Sequence, residues 1–344
     1  MSKPETHTNP DVTAEQRKAD HIELAFRSQV LPSDTDTRFY YEPMLAGHPS
    51  EEDGLDISFL NKQMKAPVWV SSMTGGTKYA NRINHNLAKA CGEFGMGMGL
   101  GSCRQLLFED TFLKDFSVRH LIGNYPLYAN LGIAQIEELI DDNKLGAIKE
   151  LLTKLEADGL IIHVNPMQEW TQPEGDIIKR SPIDSIKRVL DLGVPVIVKE
   201  VGQGFGPQSV KALLSLPLEA IDFGASGGTN FSILELFRTD KDLQEAFTPI
   251  AKVGHTAAQM VDFVNTAVIE LGTQIQCKQV IVSGGIKNFL DGYYYINKLS
   301  LPAIYGQASS FLKYAREDYT TLQAHVQRQI NGLKVANQFL TIRE

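Results

Sequence analysis

VPVIVKEVGQGFGPQSVKALLSLPLEAIDFGAS, residues 194–226, holds one complete structural repeat. Its first run, VPVIVKEV at 194–201, is apolar and β-branched without alternation, as a strand covered on both faces reads. GPQSVKALLSLP at 206–217 follows with apolar positions three to four apart, the spacing of a helix that buries one stripe. AIDFGAS at 220–226 is a second apolar run, so the segment is a strand–helix–strand unit with parallel strands.

The same rhythm extends in both directions. APVWVSSM at 66–73, FGMGMGLGS at 94–102, PLYANLG at 126–132 and ADGLIIHVN at 157–165 precede the unit; KQVIVSGG at 278–285 and LPAIYGQA at 301–308 follow it. Helical patterns occupy 79–94, 181–193, 254–271 and 311–333, and a short one begins near Ala14. Eight such runs predict an α/β fold of the (β/α)8 TIM-barrel type, in preference to a doubly wound sheet, the other parallel architecture with similar runs. Run starts lie 23 to 37 residues apart except for 58 between the sixth and seventh. An insertion around 231–253 fills that interval, either as a helix and loop over the barrel mouth or as a crossover with two packed helices. Residues 1–344 read as a single barrel domain, with 1–60 as an N-terminal extension.

Composition narrows the function. The 344 residues are 43% hydrophobic and 22% charged, as in ordinary globular proteins. Lys and Arg total 33 against 41 Asp and Glu, a net charge of −8 that supports neither nucleic-acid nor membrane-surface binding. A few local cations can still collect a small anionic substrate. Cys91, Cys103 and Cys277 form neither a disulfide framework nor a metal-site spacing, which fits a reducing compartment. No secretory h-region or membrane-length apolar segment is visible, so the cytoplasm is expected.

In a barrel the chemistry belongs at the C-terminal ends of the strands. There this chain places Ser71, Ser72, Met73 and Thr74; Ser102, Cys103 and Arg104; Asn130; His163 and Asn165, followed by Gln168 and Glu169; Lys199; Ser226 and Thr229; Gly284 and Gly285; and Gln307 and Ala308. A single Gly-rich turn is ordinarily only a turn. Those at strands seven and eight, however, coincide with the usual barrel phosphate site, where Ser226 and Thr229 add hydroxyl donors and Ala308 admits a phosphate to the next helix. Lys199 reads as a snorkelling core-edge lysine, a stabiliser of negative charge on a cofactor, or a Schiff-base former. Glu169 reads as a solvated carboxylate or a Mg²⁺ ligand shared with a substrate phosphate. The Gly-Met alternation at 94–102 reads as close packing or as space for a flat ring. No HExxH, Walker A, GxSxG or CxxC motif points to another chemistry.

The ordered set RKADHI, MTGG, GSCR, YANLG, HVNPMQE, KEVGQG, SGGT and SGGI resembles the type 2, FMN-dependent isopentenyl-diphosphate isomerases over about 17–310. The resemblance implies an FMN-binding barrel that interconverts isopentenyl and dimethylallyl diphosphate. It also implies reduced FMN, Mg²⁺, NADPH or NADH as reductant, and a homo-oligomer, tetramer or octamer. By the same resemblance Ser72, Met73, Thr74, Ser102, Asn130 and Lys199 surround the isoalloxazine ring. Ser226, Thr229, Gly284, Gly285, Gln307 and Ala308 hold the ribityl phosphate. Arg17, Lys18, His21, Arg104, His163 and Asn165 bind the substrate, Gln168 lies beside it, and Glu169 is the Mg²⁺ ligand. The implied catalytic set is Gln168, His163 and Lys199, with proton transfer near flavin N5 and Lys199 near N1 and O2. Lys287 departs from the family, where Arg more typically follows SGGI. Two other classes share these features: an FMN oxidoreductase of the hydroxy-acid-oxidase kind, and a noncatalytic flavin- or phosphate-binding barrel.

Overall fold

Eight parallel strands close on themselves in the computed structural model, which describes residues 13–50, 52–72 and 78–343. They are β1 (Val68–Val70), β2 (Gly97–Gly99), β3 (Leu127–Gly132), β4 (Gly159–His163), β5 (Val196–Lys199), β6 (Ala220–Asp222), β7 (Val280–Ser283) and β8 (Ala303–Gln307). Each pairs with the next and β8 pairs with β1, so the sheet has no edge and a doubly wound arrangement is excluded. Every apolar run of the sequence contains one barrel strand.

Strand alternation divides the barrel interior by height. Trp69, Tyr128, Ile161, Ile197, Ala220, Ile281 and Ile304 form one buried cluster inside the barrel. Two residues further along, the same inward face presents Ser71, Asn130, His163, Lys199, Asp222, Ser283 and Gly306. The apolar cluster is therefore the floor of a polar mouth.

Trp69 explains the Gly-Met alternation. A Cβ on Gly97 would lie 2.5 Å from its indole, and one on Gly99 would lie 2.6 Å from Ile161 Cδ1 and 2.7 Å from Ser72 Oγ. Met96 and Met98 point the other way, into the core between barrel and helices. Space for a flat ring is present, and the indole fills it, edge-on to Tyr128 at 6.1 Å.

A hairpin closes the opposite end. Ile57–Phe59 pairs antiparallel with Lys62–Met64 across Leu60 and Asn61, whose φ values of 51° and 58° suit a two-residue primed turn. Phe59, Leu60 and Met64 complete the interior cluster from below. Lys62 pairs with Asp158 at 2.6 Å, the Leu60 N–H donates to Gln279 Oε1 at 3.0 Å, and Asn61 Nδ2 donates to Glu219 Oε2 at 3.1 Å. Those three acceptors immediately precede β4, β7 and β6, at the N-terminal end of the barrel.

The expected helices form at Lys78–Phe94, Pro182–Leu190, Pro207–Leu214 and Ala257–Leu271, and the N-terminal one at Ala14–Leu24. The expected helix over 311–333 is two, Ser309–Ala315 and Tyr319–Phe339, because Asp318 accepts the Thr321 N–H at 2.8 Å and caps a new start. Ile133–Asp141 and Gly146–Leu155 connect β3 to β4, and Phe289–Lys298 connects β7 to β8. Residues 231–253 hold two helices, Phe231–Leu236 and Lys241–Ala251. Outside the barrel Phe39–Tyr41 pairs antiparallel with Leu340–Ile342.

Gly97→Ala is expected to destabilise the fold by about 1–3 kcal/mol through overpacking against Trp69, read by urea denaturation. Unchanged stability would show that the indole is not confined by β2.

Candidate active site

The polar ends of the strands line two adjoining cavities of about 400 Å³ and about 140 Å³, both of which Ser72, Lys199, Val201 and Phe231 border. The larger runs from Lys199 to the turns after β6, β7 and β8. At Gly284, φ 86°, a Cβ would stand 2.0 Å from the Ala225 carbonyl oxygen; Gly285, φ 75°, faces Gly227 across the same seam. The two turns therefore lie backbone to backbone, and only glycine fits there. Lys287 and Lys313 add two ammonium groups to this end. The Oγ atoms of Ser71, Ser72 and Ser310 are buried without a partner, so three hydroxyls at the cavity have unused hydrogen-bonding capacity.

The smaller cavity brings Ser102, Asn130, His163, Gln168 and Lys199 together from four strand ends and a helix. Asn130 Nδ2 donates to the Leu100 carbonyl at 3.0 Å, which leaves Oδ1 to accept from His163 Nδ1 at 2.8 Å. That donation fixes the neutral tautomer of His163, with Nε2 as an acceptor. Burial, and secondarily the Lys199 charge, pushes the imidazole down to about 3. Lys199 is buried, and its Nζ donates to the Glu200 carbonyl at 2.7 Å. Glu200 Oε2 accepts the N–H groups of Gly202, Gln203 and Gly204 at 2.8, 2.6 and 2.7 Å, pinning the loop beside Lys199. Burial still raises its carboxyl above the usual range. Asp222, in register with Lys199 on the adjacent strand, is fully buried and hydrogen-bonded to Ser283.

A polar chain crosses the helix Pro166–Thr171. Asn165 Nδ2 donates to Gln168 Oε1 at 3.2 Å and Glu169 Oε1 at 2.9 Å, while Asn165 Oδ1 is buried and unpartnered. Gln168 Nε2 donates to Glu235 Oε1 at 3.3 Å, and Glu235 is itself held by Arg238 at 2.5 Å. Glu169 Oε2 accepts the Asp176 N–H at 2.8 Å. Arg104 is engaged by Asp176 at 3.0 Å and Glu138 at 3.5 Å. Cys103, despite its place at a strand end, is no nucleophile: burial pushes its thiol up to about 12.

Thr229, Gly284, Gly285, Gln307 and Ala308 line the larger cavity as well. Ser226 turns aside, its Oγ 3.4 Å from the Gly202 carbonyl. Gln307 spends its amide within the protein, donating to the Ile286 carbonyl at 3.0 Å and accepting from Gln329 at 2.6 Å. Arg17, Lys18 and His21 stand exposed on a helix that buries none of its residues, outside both cavities. Met73 and Thr74 lie outside the described residues. Sequence reasoning passed over Asp222 and Glu235, and saw Ser283 only as a polar strand end. Asp222 and Ser283 carry a strand-alternation signal, two residues beyond Ala220 and Ile281, whereas Glu235 reaches Gln168 only through the packing of two helices.

No protein-family model matches the chain. It is 33% identical over 331 residues to an isopentenyl-diphosphate delta-isomerase of Rickettsia africae (strain ESF-5), covering 93% of this chain and 92% of that protein. A Rickettsia felis (strain ATCC VR-1525 / URRWXCal2) isopentenyl-diphosphate delta-isomerase is 34% identical over 349 aligned residues, covering 97% and 94%. The chain belongs to the isopentenyl-diphosphate delta-isomerase family, in its type 2, FMN-dependent group. Among solved structures, a flavocytochrome b2 double mutant with pyruvate bound superposes with a TM-score of 0.60 at 10% identity, covering 88% of this isomerase-family chain and 72% of that one. A mandelate oxidase mutant with a monooxide FMN adduct gives 0.53 at 12% identity, covering 89% and 88%. At such identity these likenesses show the barrel fold.

A histidine held neutral in the fold takes up a proton on unfolding, so its contribution to stability is complete above about pH 6.5 and is lost as pH falls toward 3. The slope approaches about 1.4 kcal/mol per pH unit between those limits. Urea titrations at pH 7 and pH 5 are expected to show a smaller pH dependence for His163→Gln than for the parent; equal dependence would mean that the imidazole takes up its proton as readily in the fold as in the unfolded chain.

Proposed function

We propose that this barrel mouth converts isopentenyl diphosphate to dimethylallyl diphosphate, with reduced FMN in the two adjoining cavities and Mg²⁺ shared with the substrate. The observation that carries the site assignment is the joining of a glycine-only cradle to the Asn130, His163, Gln168 and Lys199 cluster, with Lys199 bordering both. The FMN phosphate suits the cradle and its two lysines, and the ring suits the Lys199 end, where the unpartnered Ser71 and Ser72 hydroxyls stand ready as donors or acceptors. When bound, reduced FMN supplies the proton transfers at carbon, in a reaction of no net redox change for which NADPH or NADH serves only as reductant.

The chain's own groups bind and orient. Lys199 places a positive charge beside the ring, where it offsets negative charge. His163, neutral and fixed by Asn130, offers Nε2 as an acceptor. Gln168, held between Asn165 and Glu235, is a neutral amide suited to positioning rather than to proton abstraction. Glu169, an oxygen donor whose carboxylate is oriented by Asn165 Nδ2 and the Asp176 N–H, would be the Mg²⁺ ligand. Among the described residues no three His, Cys, Asp or Glu side chains group to hold a metal, so the substrate diphosphate would complete that coordination. Arg104, shared between Asp176 and Glu138, would turn to the diphosphate. The extension 1–60 would bring Arg17, Lys18 and His21 to the same group, and Phe231 of the 231–253 insertion screens the mouth from water. Among the described residues no helix is long and apolar enough to cross a membrane. We assign the working form to a cytoplasmic homo-oligomer, a tetramer or octamer, measurable by light scattering.

Anaerobic incubation with FMN, Mg²⁺, a reductant and isopentenyl diphosphate, followed by NMR, is expected to yield dimethylallyl diphosphate only when the flavin is reduced. Flavin bleaching by a 2-hydroxy acid without isomerisation would contradict the assignment. Glu235→Gln is expected to lower kcat about 10- to 100-fold by loosening Gln168, with KM little changed. Arg104→Ala is expected instead to raise KM more than it lowers kcat; the reverse pattern in either variant would exchange their roles.

A further inference from the structure

Asp222 is the one carboxylate on the inward polar face that also presents Lys199, and nothing in the binding account above uses it. Its side chain is completely buried. The Gly224 N–H donates to Ser283 Oγ at 3.0 Å, so the Ser283 hydroxyl proton is directed to Asp222 Oδ1. Asp222 Oδ2 is buried with no partner. An unpartnered carboxylate oxygen away from water demands compensation by positive charge. Register supplies one: Lys199 and Asp222 are Cα partners on β5 and β6.

The other titratable groups nearby do not serve. His163, the register partner of Lys199 on β4, is neutral, and Glu200 is committed to three loop N–H groups. No ion pair joins Asp222 to Lys199, whose Nζ is held by the Glu200 carbonyl. The carboxylate therefore acts on the ammonium through the low-dielectric interior rather than by contact. Burial raises the Asp222 carboxyl, and the Lys199 charge and the Ser283 and Gly224 hydrogen bonds oppose that rise.

We propose that Asp222 is the counter-charge of Lys199 and a positioning residue, fixed by Ser283, that sets the electrostatic field at the end of the flavin ring Lys199 faces. The same hydrogen-bond chain ties that field to the Gly224–Thr229 turn of the phosphate cradle. This inference rests on the FMN reading of the two cavities. Reduced flavin carries more negative charge than oxidised flavin, so removing the carboxylate favours reduction and removing the lysine disfavours it.

The test is the midpoint potential of the FMN-loaded protein, by anaerobic reductive titration against a reference dye, with FMN affinity read from flavin fluorescence. Asp222→Asn is expected to shift the potential upward and Lys199→Met downward, with the double variant returning toward the parent value. Ser283→Ala, which removes the hydroxyl donor that favours the charged carboxylate and so lets the carboxyl take up a proton more readily, is expected to shift the potential upward by less, and it serves alone if Asp222→Asn does not fold. A purely packing role for Asp222 would alter stability and leave the potential where it was. An unchanged potential in an FMN-loaded Asp222→Asn or Ser283→Ala protein overturns this inference alone; failure of the parent chain to bind FMN overturns the FMN reading and this inference with it.

Discussion

Trp69 lies inside the closed barrel, and β2 gives way to it completely: no side chain can grow from Gly97 without meeting the indole. Burying an indole removes roughly 200 Å² from water, worth about 5 kcal/mol. More consequential is the level it sets. With Tyr128, Ile161, Ile197, Ile281 and Ile304 it makes a solid apolar floor, sealed below by Phe59, Leu60 and Met64 of the hairpin. Strand alternation then sends the next inward residue of each strand to the mouth, above that floor and shielded from bulk water on one side. The polar cluster is thus a consequence of packing two residues earlier.

That placement governs the electrostatics. A lysine, a histidine and two carboxylates gather within a few residues of three adjacent strand ends, and each meets a different fate. His163 is stripped of its proton by burial and the lysine's field. Glu200 is tied to the backbone N–H groups of its own loop, while Asp222 is held at the level of Lys199 by one hydroxyl. Lys199 alone carries its charge to where both cavities meet. Arg104, Glu169 and Asn165 sit in a second network shared with Asp176, Glu138 and, through Gln168, Glu235 of the insertion helix.

The barrel was legible because a parallel strand covered on both faces has to be continuously apolar, and eight such runs stand at regular intervals. The split of 311–333 was harder to see, since Arg316, Glu317 and Asp318 continue a polar helical face until Asp318 turns to cap. The hairpin at 57–64 was hidden because Leu60 and Asn61 take left-handed conformations without the glycine that advertises such a turn. Within the site, the strand-end residues Asn130, His163 and Lys199 were visible from position alone. Two pairings beside them were not: Glu235 approaches Gln168 across 67 positions and Ser283 approaches Asp222 across 61, and only tertiary packing sets those meetings. Ser226, chosen as a hydroxyl donor, is instead drawn to the Gly202 carbonyl by a turn whose direction composition does not encode.

A crystal structure of the protein with FMN bound tests the central claim most directly, because that claim puts the phosphate and the ring at opposite ends of the polar mouth above the Trp69 floor. The account predicts the phosphate against Gly284 and Gly285, near Lys287 and Lys313, and the isoalloxazine ring beside Lys199 and Asn130. A flavin lying in the opposite sense, or held outside these two cavities, would contradict it.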